Sequence, residues 1–277
     1  MNSIIHNHAS FRESWYNDET YHDAAGEKGF ITSMLTELII IFVVLFIGSF
    51  IQGASGFGFG LFAMSFLPFL FSVKDSTLLV MALALVTCLT IFLKVYSHIN
   101  IRRLAVLLGA AVAGRIGAYF VLHNFGEMDE LKKVLGFVLI GMVFFILFQN
   151  NPDTEKRREH PALPISMGVL GGFIGGVFVV GGPFFVFYFL MVCKDKYEYT
   201  ANIQAVFLVT GLTTLLMHGV SGDIHANLLL YFVIGVLSVI TGSRLGMKWF
   251  KHLSQHHIKR FAGLIVTLAA LNLIFFA

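Results

Sequence analysis

The chain has 277 residues, of which 57% are hydrophobic and only 13% are charged, and its mean hydropathy is +0.80. Soluble domains carry about twice that share of charged residues, so the composition excludes an ordinary soluble domain and indicates an integral membrane protein. The net charge of +3 comes from basic residues scattered over loops, so we expect the lipid bilayer and no nucleic acid as a partner.

The first 33 residues are polar and contain more acidic than basic residues. They lack the basic region that precedes the apolar core of a signal peptide. Residues 1–33 are therefore predicted to form a polar N-terminal tail that is not cleaved.

The first apolar stretch is too long for one straight crossing of a membrane. Leu38–Val73 has 36 residues without a charged side chain, and a straight helix of that length would measure about 54 Å, against a hydrocarbon core of about 30 Å. Four glycines lie in its middle, Gly53, Gly56, Gly58 and Gly60. Irregular backbone at membrane depth persists only beside protein or a wet cavity, so the stretch predicts a broken hairpin at a solute site.

Further apolar segments follow along the chain, and the one at 161–193 is again broken by glycines. The others cover residues 76–96, 104–122, 131–149, 199–219, 226–248 and 257–277. A polar connector separates two halves, which predicts a first transmembrane repeat at 34–150, a cytoplasmic linker at 151–160 and a second transmembrane repeat at 161–277.

The two halves are similar to each other at a constant shift in number. Residues 82–101 match 205–224 with eight identities in twenty, and residues 48–62 match 171–185 with six identities in fifteen. Biased apolar composition does not readily produce one shift through two elements, so we interpret the halves as an internal repeat.

The distribution of Lys and Arg distinguishes two topologies. If every segment crossed once, the basic residues would divide nine to eight between the two sides. If each broken segment entered and left on one side, they would divide twelve to five, with Arg115 and Arg244 inside the membrane. The positive-inside rule favours the second topology, with both termini outside the cell membrane. The predicted fold class is an all-α integral membrane protein with two inverted repeats, each a broken hairpin plus three helices, as in secondary transporters.

Three motifs carry a resemblance to a known family. They are the glycine run Gly53 to Leu61 with Pro68 after it, its counterpart Gly171 to Pro183, and the ends Gly114-Arg115 and Ser243-Arg244. Over residues 35–277 the chain resembles the TauE/SafE family of sulfite and organosulfonate exporters. The resemblance implies a permease that exports or takes up sulfur-containing oxyanions.

The glycine breaks are the first candidates for substrate contact. Free N–H groups and positive helix N-termini at such breaks bind anions, although small residues also let helices pack closely in membranes. Because the glycines recur in both halves, we predict substrate contact at Gly53, Gly56, Gly58, Gly60, Gly176, Gly181 and Gly182.

Arg115 and Arg244 are the second candidates. A charge inside the bilayer costs about 2.5–3.5 kcal/mol on insertion scales and usually marks a pathway. The apolar cores contain no Asp or Glu, which favours an anionic substrate as the partner of both arginines. The alternative is that each arginine reaches a lipid headgroup.

Polar residues inside the apolar segments complete the predicted site. Thr87 and Thr210 occupy matching repeat positions and could donate hydroxyls to an oxyanion, or bond to their own helices. Gln52, Ser55 and Gln204 are further candidates, with hydrogen bonding between helices as the alternative.

The eleven histidines do not predict a metal site. His252 and His256 have the spacing of metal ligands, but Lys251 and Lys259 beside them would repel a cation. His218 is either a proton relay or a packing residue. We expect no metal and no cofactor.

These features predict a secondary transporter that exports small sulfur-containing anions, such as sulfite, sulfoacetate or another organosulfonate, by alternating access. An anion channel or facilitator, and an uptake permease for another small oxyanion or carboxylate, are alternatives. A membrane-embedded enzyme or assembly factor is a third interpretation, but the sequence lacks HExxH and GxSxG motifs, so we expect no enzyme. A small anion is the expected partner, and a homo-oligomer is left open.

Overall fold

The computed structural model describes residues 24–148, 162–225, 228–249 and 266–275, and the regular structure in these ranges is helical. The helices are α1 Ala24–Ser55, α2 Phe59–Ala63, α3 Val73–Phe92, α4 Ile101–Phe125, α5 Asp129–Phe148, α6 Ala162–Phe178, α7 Gly182–Val192, α8 Lys196–Val220, α9 Leu228–Trp249 and α10 Val266–Phe275. The predicted linker 151–160, most of the predicted tail, and His252 and His256 lie outside the described residues.

The chain divides into two compact units, residues 1–40 and residues 41–277. The first unit is described from Ala24 onward, and there it is helical. All contacts reported below lie within the second unit. Within the described ranges, five helices are long and apolar enough to cross a membrane, namely Leu35–Ser55, Val73–Phe92, Ile101–Phe125, Lys196–Val220 and Leu228–Trp249.

Both predicted helix breaks are confirmed. The first break separates α1 from α2 at residues 56–58, where Gly56 and Gly58 have φ values of 86° and 109°. Only glycine adopts such angles readily, because it has no Cβ. The second break separates α6 from α7, where Val179 has a φ of 60° and Pro183 lies in the first turn of α7. Proline there needs no backbone donor, so it starts the new helix without losing a hydrogen bond.

Helix α6 lies against α4 through glycines. A Cβ on Gly168 would approach the carbonyl oxygen of Leu107 to 2.6 Å, and a Cβ on Gly172 would overlap the carbonyl oxygen of Ala111. Because the contact positions advance together along both helices, α4 and α6 run in the same direction. Such close backbone approach is the usual role of small residues between membrane helices.

The second half of α1 lies against α9 in the same way. A Cβ on Gly242 would crowd the carbonyl oxygen of Phe46, and a Cβ on Gly246 would overlap the carbonyl oxygen of Phe50. Ser238 adds a hydrogen bond from its hydroxyl to the carbonyl oxygen of Phe42, at 2.7 Å. These positions also advance together, so α1 and α9 run in the same direction.

Helices α4 and α8 define two ends of this helical unit. Near their first residues, Asn100 Nδ2 donates to Glu198 Oε1 at 2.9 Å, and we name this the Glu198 end. Near their last residues, His123 and Asp223 are hydrogen-bonded at 2.8 Å, and we name this the Asp223 end. Helices α4 and α8 therefore run in the same direction, from the Glu198 end to the Asp223 end.

The hairpin formed by α6 and α7 begins and finishes at the Glu198 end. Helix α6 runs along α4 from that end, and α7 returns, because the Tyr188 hydroxyl donates to the carbonyl oxygen of Arg103 at 3.2 Å. The chain after α7 then reaches Glu198, whose carboxylate accepts a hydrogen bond from the Lys194 N–H at 2.9 Å.

The hairpin around the first break opens at the Asp223 end. Helix α3 begins there, because the Lys74 N–H donates to the carbonyl oxygen of Gly126 at 3.0 Å. Just before α3, the ring of Phe71 lies 5.0 Å from the ring of Tyr231 near the start of α9. Helix α1 runs parallel to α9, so it approaches the break from the Asp223 end, where α9 begins. The segment after the break returns to the same end, because Phe71 lies there.

We predict that Gly172→Ala destabilises the protein, because the new methyl group would overlap the backbone of Ala111. Overpacking of this kind usually costs about 1–3 kcal/mol of unfolding free energy. The matched control is Gly109→Ala, also in a helix, where a Cβ would meet no atom within 4 Å. Alanine there should be neutral or should stabilise by up to about 1 kcal/mol. Thermal unfolding of both variants in detergent checks this, and equal midpoints would contradict it.

Candidate functional site

The two helix breaks contact each other in the middle of the fold. A Cβ on Gly60 would overlap the carbonyl oxygen of Val179, so the backbones of the two breaks touch. A Cβ on Gly182 would lie 3.7 Å from the ring of Phe57, which is a second contact between them. Glycine at position 60 is thus required by the approach of the second break.

A small cavity lies beside this contact. Both breaks line it, together with Gln52 of α1, Arg115 of α4 and the rings of Phe57, Phe185 and Phe207. Its water-accessible volume is about 40 Å³, which is room for a few water molecules. The cavity is therefore small in this conformation.

Arg115 brings a buried positive charge to the cavity. Its residue is 4% exposed, and its guanidinium donates to the carbonyl oxygen of Gly175 at 2.7 Å and to the hydroxyls of Thr214 and Thr210 at 3.2 and 3.3 Å. Both hydroxyls donate their own hydrogens to carbonyls one turn earlier in α8, so their lone pairs are free to accept from Arg115.

The charge of Arg115 has no carboxylate beside it among the residues that the structure describes. Its Nε is buried and makes no hydrogen bond. A buried cation without a countercharge is costly, and an ionisable residue kept inside a membrane usually marks a substrate or ion pathway. The arrangement is therefore suited to an anion that enters the cavity.

Two glutamines hold the first break in position. Gln52 Nε2 lies 3.3 Å from Gln204 Oε1 and 3.2 Å from the sulfur of Cys88. Gln204 Nε2 in turn donates to the carbonyl oxygen of Gly56 at 2.8 Å. The carbonyl that the break leaves without a helical partner is satisfied from α8, which is in the other half of the chain.

The structure brings most of the predicted site residues together. Those that line the cavity are Gln52, Gly58, Gly60, Arg115, Gly181 and Gly182. Gln204, Gly56 and Thr210 lie in the hydrogen-bond networks just described. Direct substrate contact by any of them stays a prediction.

The other predicted residues lie away from the cavity lining. Gly53 packs against the backbone of Ser243, and Gly176 packs against the Ala118 methyl group and the Arg115 side chain. The hydroxyls of Ser55 and Thr87 bond to nearby backbone carbonyls. Arg244 is exposed on α9, so the two arginines predicted as equivalent occupy different environments.

Sequence reasoning missed part of the site. It did not select Met81, Cys88, Phe185 or Phe207, which are apolar or weakly polar residues that line the cavity. It also missed Thr214, although Thr210, Thr214 and His218 recur every four residues and so share one face of α8. That spacing is the signal that could have found it.

Comparison with known proteins identifies the family. The family model for the sulfite exporter TauE/SafE matches residues 40–273. The chain belongs to this family. A probable membrane transporter protein from Methanocaldococcus jannaschii is 23% identical over 242 residues, which cover 80% of this chain and 90% of that protein. No solved structure gives a significant match. This TauE/SafE chain is thus a multi-pass membrane protein in a family of transporters.

A second polar cluster lies at the Asp223 end. His218 Nδ1 and His123 Nδ1 lie 2.6 and 2.8 Å from the same carboxylate oxygen of Asp223, and the Lys74 ammonium lies 3.7 Å from the other oxygen. Although burial raises the pKa of Asp223, the hydrogen bonds from both histidines and the charge of Lys74 outweigh burial and lower this pKa below its ordinary value. His123, His218 and Asp223 are close enough together to hold a metal ion, but the Lys74 ammonium already neutralises Asp223, so we interpret the cluster as ion-paired.

We predict that Asp223→Asn lowers the free energy of unfolding near neutral pH by about 1.5–3 kcal/mol, the usual worth of hydrogen bonds to a charged group. A carboxyl group whose folded pKa is depressed stabilises the fold above its unfolded pKa, and this contribution is lost as the pH falls through the folded pKa. The difference between wild type and variant should therefore shrink below about pH 4.

The control for this prediction is Asp129→Asn. Asp129 pairs with Lys132 at 2.9 Å on the surface, and its side chain is 76% exposed. Its loss should cost less than about 1 kcal/mol. Thermal unfolding across the pH range checks both variants, and a wild-type midpoint for Asp223→Asn near neutral pH would refute the stabilising role of the cluster.

Proposed function

We propose that this protein is a secondary transporter that exports small sulfur-containing anions, such as sulfite, sulfoacetate or another organosulfonate, by alternating access. The observation that carries the proposal is the buried Arg115, which has no carboxylate among the described residues and faces a cavity between two touching helix breaks. The family membership supports the same substrate class.

An inverted repeat agrees with the contacts between helices. The broken helix of each half lies against the penultimate helix of the other half, α6 on α4 and α1 on α9, and both pairs run in parallel. One hairpin opens at the Asp223 end and the other at the Glu198 end. A two-fold axis in the membrane plane generates this reciprocal pattern and places the broken helices at the midplane.

The orientation follows from the basic residues. At the Glu198 end lie Lys94, Arg102, Arg103, Lys194, Lys196 and Lys248, whereas Lys74, Lys132 and Lys133 lie at the Asp223 end. The positive-inside rule places the Glu198 end in the cytoplasm and the Asp223 end outside. The hairpin of α6 and α7 then opens to the cytoplasm, and the first hairpin opens to the exterior.

Anion recognition uses the guanidinium and the start of α7. A planar guanidinium fits two oxygens of a sulfite or sulfonate group, and the positive N-terminus of α7 at Gly181 and Gly182 faces the same cavity. The three phenylalanine rings would contact the carbon part of an organosulfonate. This recognition needs no cofactor and no bond-making step, as expected for a transporter rather than an enzyme.

Transport requires the cavity to open toward one side at a time. The contact between Gly60 and Val179 closes the space between the two hairpins, and movement of either hairpin would separate them. Space for only a few waters at this site favours a carrier over a wide, open channel. Rocking of one repeat against the other is the usual form of this movement.

We predict that Arg115→Gln reduces the exchange of radiolabelled sulfite or sulfoacetate across proteoliposome membranes by at least about tenfold. Loss of a charged hydrogen-bond donor costs about 1.5–3 kcal/mol of binding free energy, which is about tenfold or more in affinity. The variant should also lose the thermal stabilisation that these anions give to the wild type. Equal midpoints without anion would show that the variant is folded.

Arg244→Gln is the matched comparison. The sequence analysis predicts that this variant loses transport, whereas the exposed position of Arg244 predicts that the variant keeps it. Wild-type exchange by Arg115→Gln would overturn the proposed role of Arg115. Equal losses in the two variants would instead support a role for both arginines. Single-channel currents from the wild type would select the channel alternative.

A further inference from the structure

A line of polar side chains connects the cavity with the Asp223 end. On α4, Arg115, Tyr119 and His123 recur every four residues, and on α8, Thr210, Thr214 and His218 do the same. Residues four apart share one face of a helix. We name the six residues the polar seam.

The two faces contact each other at each step of the seam. Arg115 donates to Thr210 and Thr214. One turn further, the Tyr119 ring lies 4.9 Å from the His218 ring, and the Tyr119 and Ser221 hydroxyls are 2.5 Å apart. The seam finishes at Asp223, which accepts from His218 and His123.

His218 is placed to accept a proton. It is 0% exposed. An ionised carboxylate only accepts hydrogen bonds, so Nδ1 of His218 carries the hydrogen toward Asp223, and Nε2 has the free lone pair. That Nε2 is buried and has no hydrogen-bond partner in the described part of the chain. A second proton on His218 would fill this vacant position.

The cluster has a route to solvent. The His123 side chain is 39% exposed and contacts the same carboxylate oxygen as His218. The other titratable or charged groups around it are Lys74 of α3, the Glu127 carboxylate 3.4 Å from Lys74, and the pair of Asp75 and His225. His123 therefore connects the cluster with solution at the Asp223 end.

We propose that His123, Asp223 and His218 form a proton-binding site whose occupancy controls anion affinity at Arg115, so that a proton and an anion bind together. This inference rests on the proposed function. Charge carries the linkage, because a proton on His218 adds a positive charge roughly 10 Å from the anion site along the seam. The linkage is reciprocal, so anion binding draws a proton onto the cluster.

The test measures anion affinity and proton uptake in the purified full chain, with sulfite and sulfoacetate as probes. Between about pH 8 and about pH 5, a range wide enough for a buried histidine to gain its charge, the affinity of the wild type should rise by about tenfold, the size expected for two charges at this distance. In weak buffer with a pH-sensitive dye, anion addition should remove protons from solution.

The informative variant is His218→Asn, because asparagine keeps a donor toward Asp223 and does not titrate. It should bind both anions with an affinity that is nearly constant over this pH range, and without the proton uptake of the wild type. Any proton that sulfite itself carries contributes equally to the measurements on wild type and variant, so it drops out of the difference between them. If His218→Asn does not fold, His123→Asn, at a partly exposed position, provides the second variant.

The control is His98→Asn at an exposed position, which should behave like the wild type. Wild-type pH dependence and proton uptake in His218→Asn would overturn this inference and leave the proposed function standing, as would anion binding by the wild type without proton uptake. Absence of sulfite and sulfoacetate binding by the wild type at every pH would overturn the proposed function itself.

Discussion

The buried charge of Arg115 is the constraint on which the rest of the site depends. A guanidinium at this depth is costly unless its donors are satisfied, and here one backbone carbonyl and two threonine hydroxyls satisfy only part of them. The carbonyl belongs to Gly175, near the end of α6, and the hydroxyls belong to α8. The arginine of one half therefore depends on two helices of the other half, and it links the second helix break to the cavity wall.

Close packing at glycines allows the helices to adopt this arrangement. Contacts such as those of Gly172 with Ala111 and of Gly246 with Phe50 let two helix pairs approach until their backbones touch. In a lipid environment, close packing of this kind replaces the hydrophobic effect as the source of helix association. The same shortage of side chains leaves room for the two breaks to meet at Gly60 and Val179, where the unpaired backbone groups lie against protein rather than lipid.

Much of the candidate site can be predicted from the sequence, because glycines, polar side chains and charges are conspicuous in apolar segments. Gln52, Gly60 and Arg115 were selected for that reason, and they line one cavity. Arg244 was selected by the same rule, but it is exposed on α9, since a repeat in the sequence need not keep equivalent surroundings in the fold. The phenylalanine rings that line the cavity could not be selected, because thirty phenylalanines in the chain look alike before the helices are packed.

The sequence alone determined the membrane character, the positions of both helix breaks and the resemblance of the two halves, because these follow from local composition and spacing. Only the tertiary structure decided which helices touch, that Arg115 faces a cavity while Arg244 does not, and that Asp223 joins His218 and His123 at one end. These outcomes depend on contacts between residues about a hundred positions apart. Such contacts arise from the packing of whole helices, which no short stretch of sequence specifies.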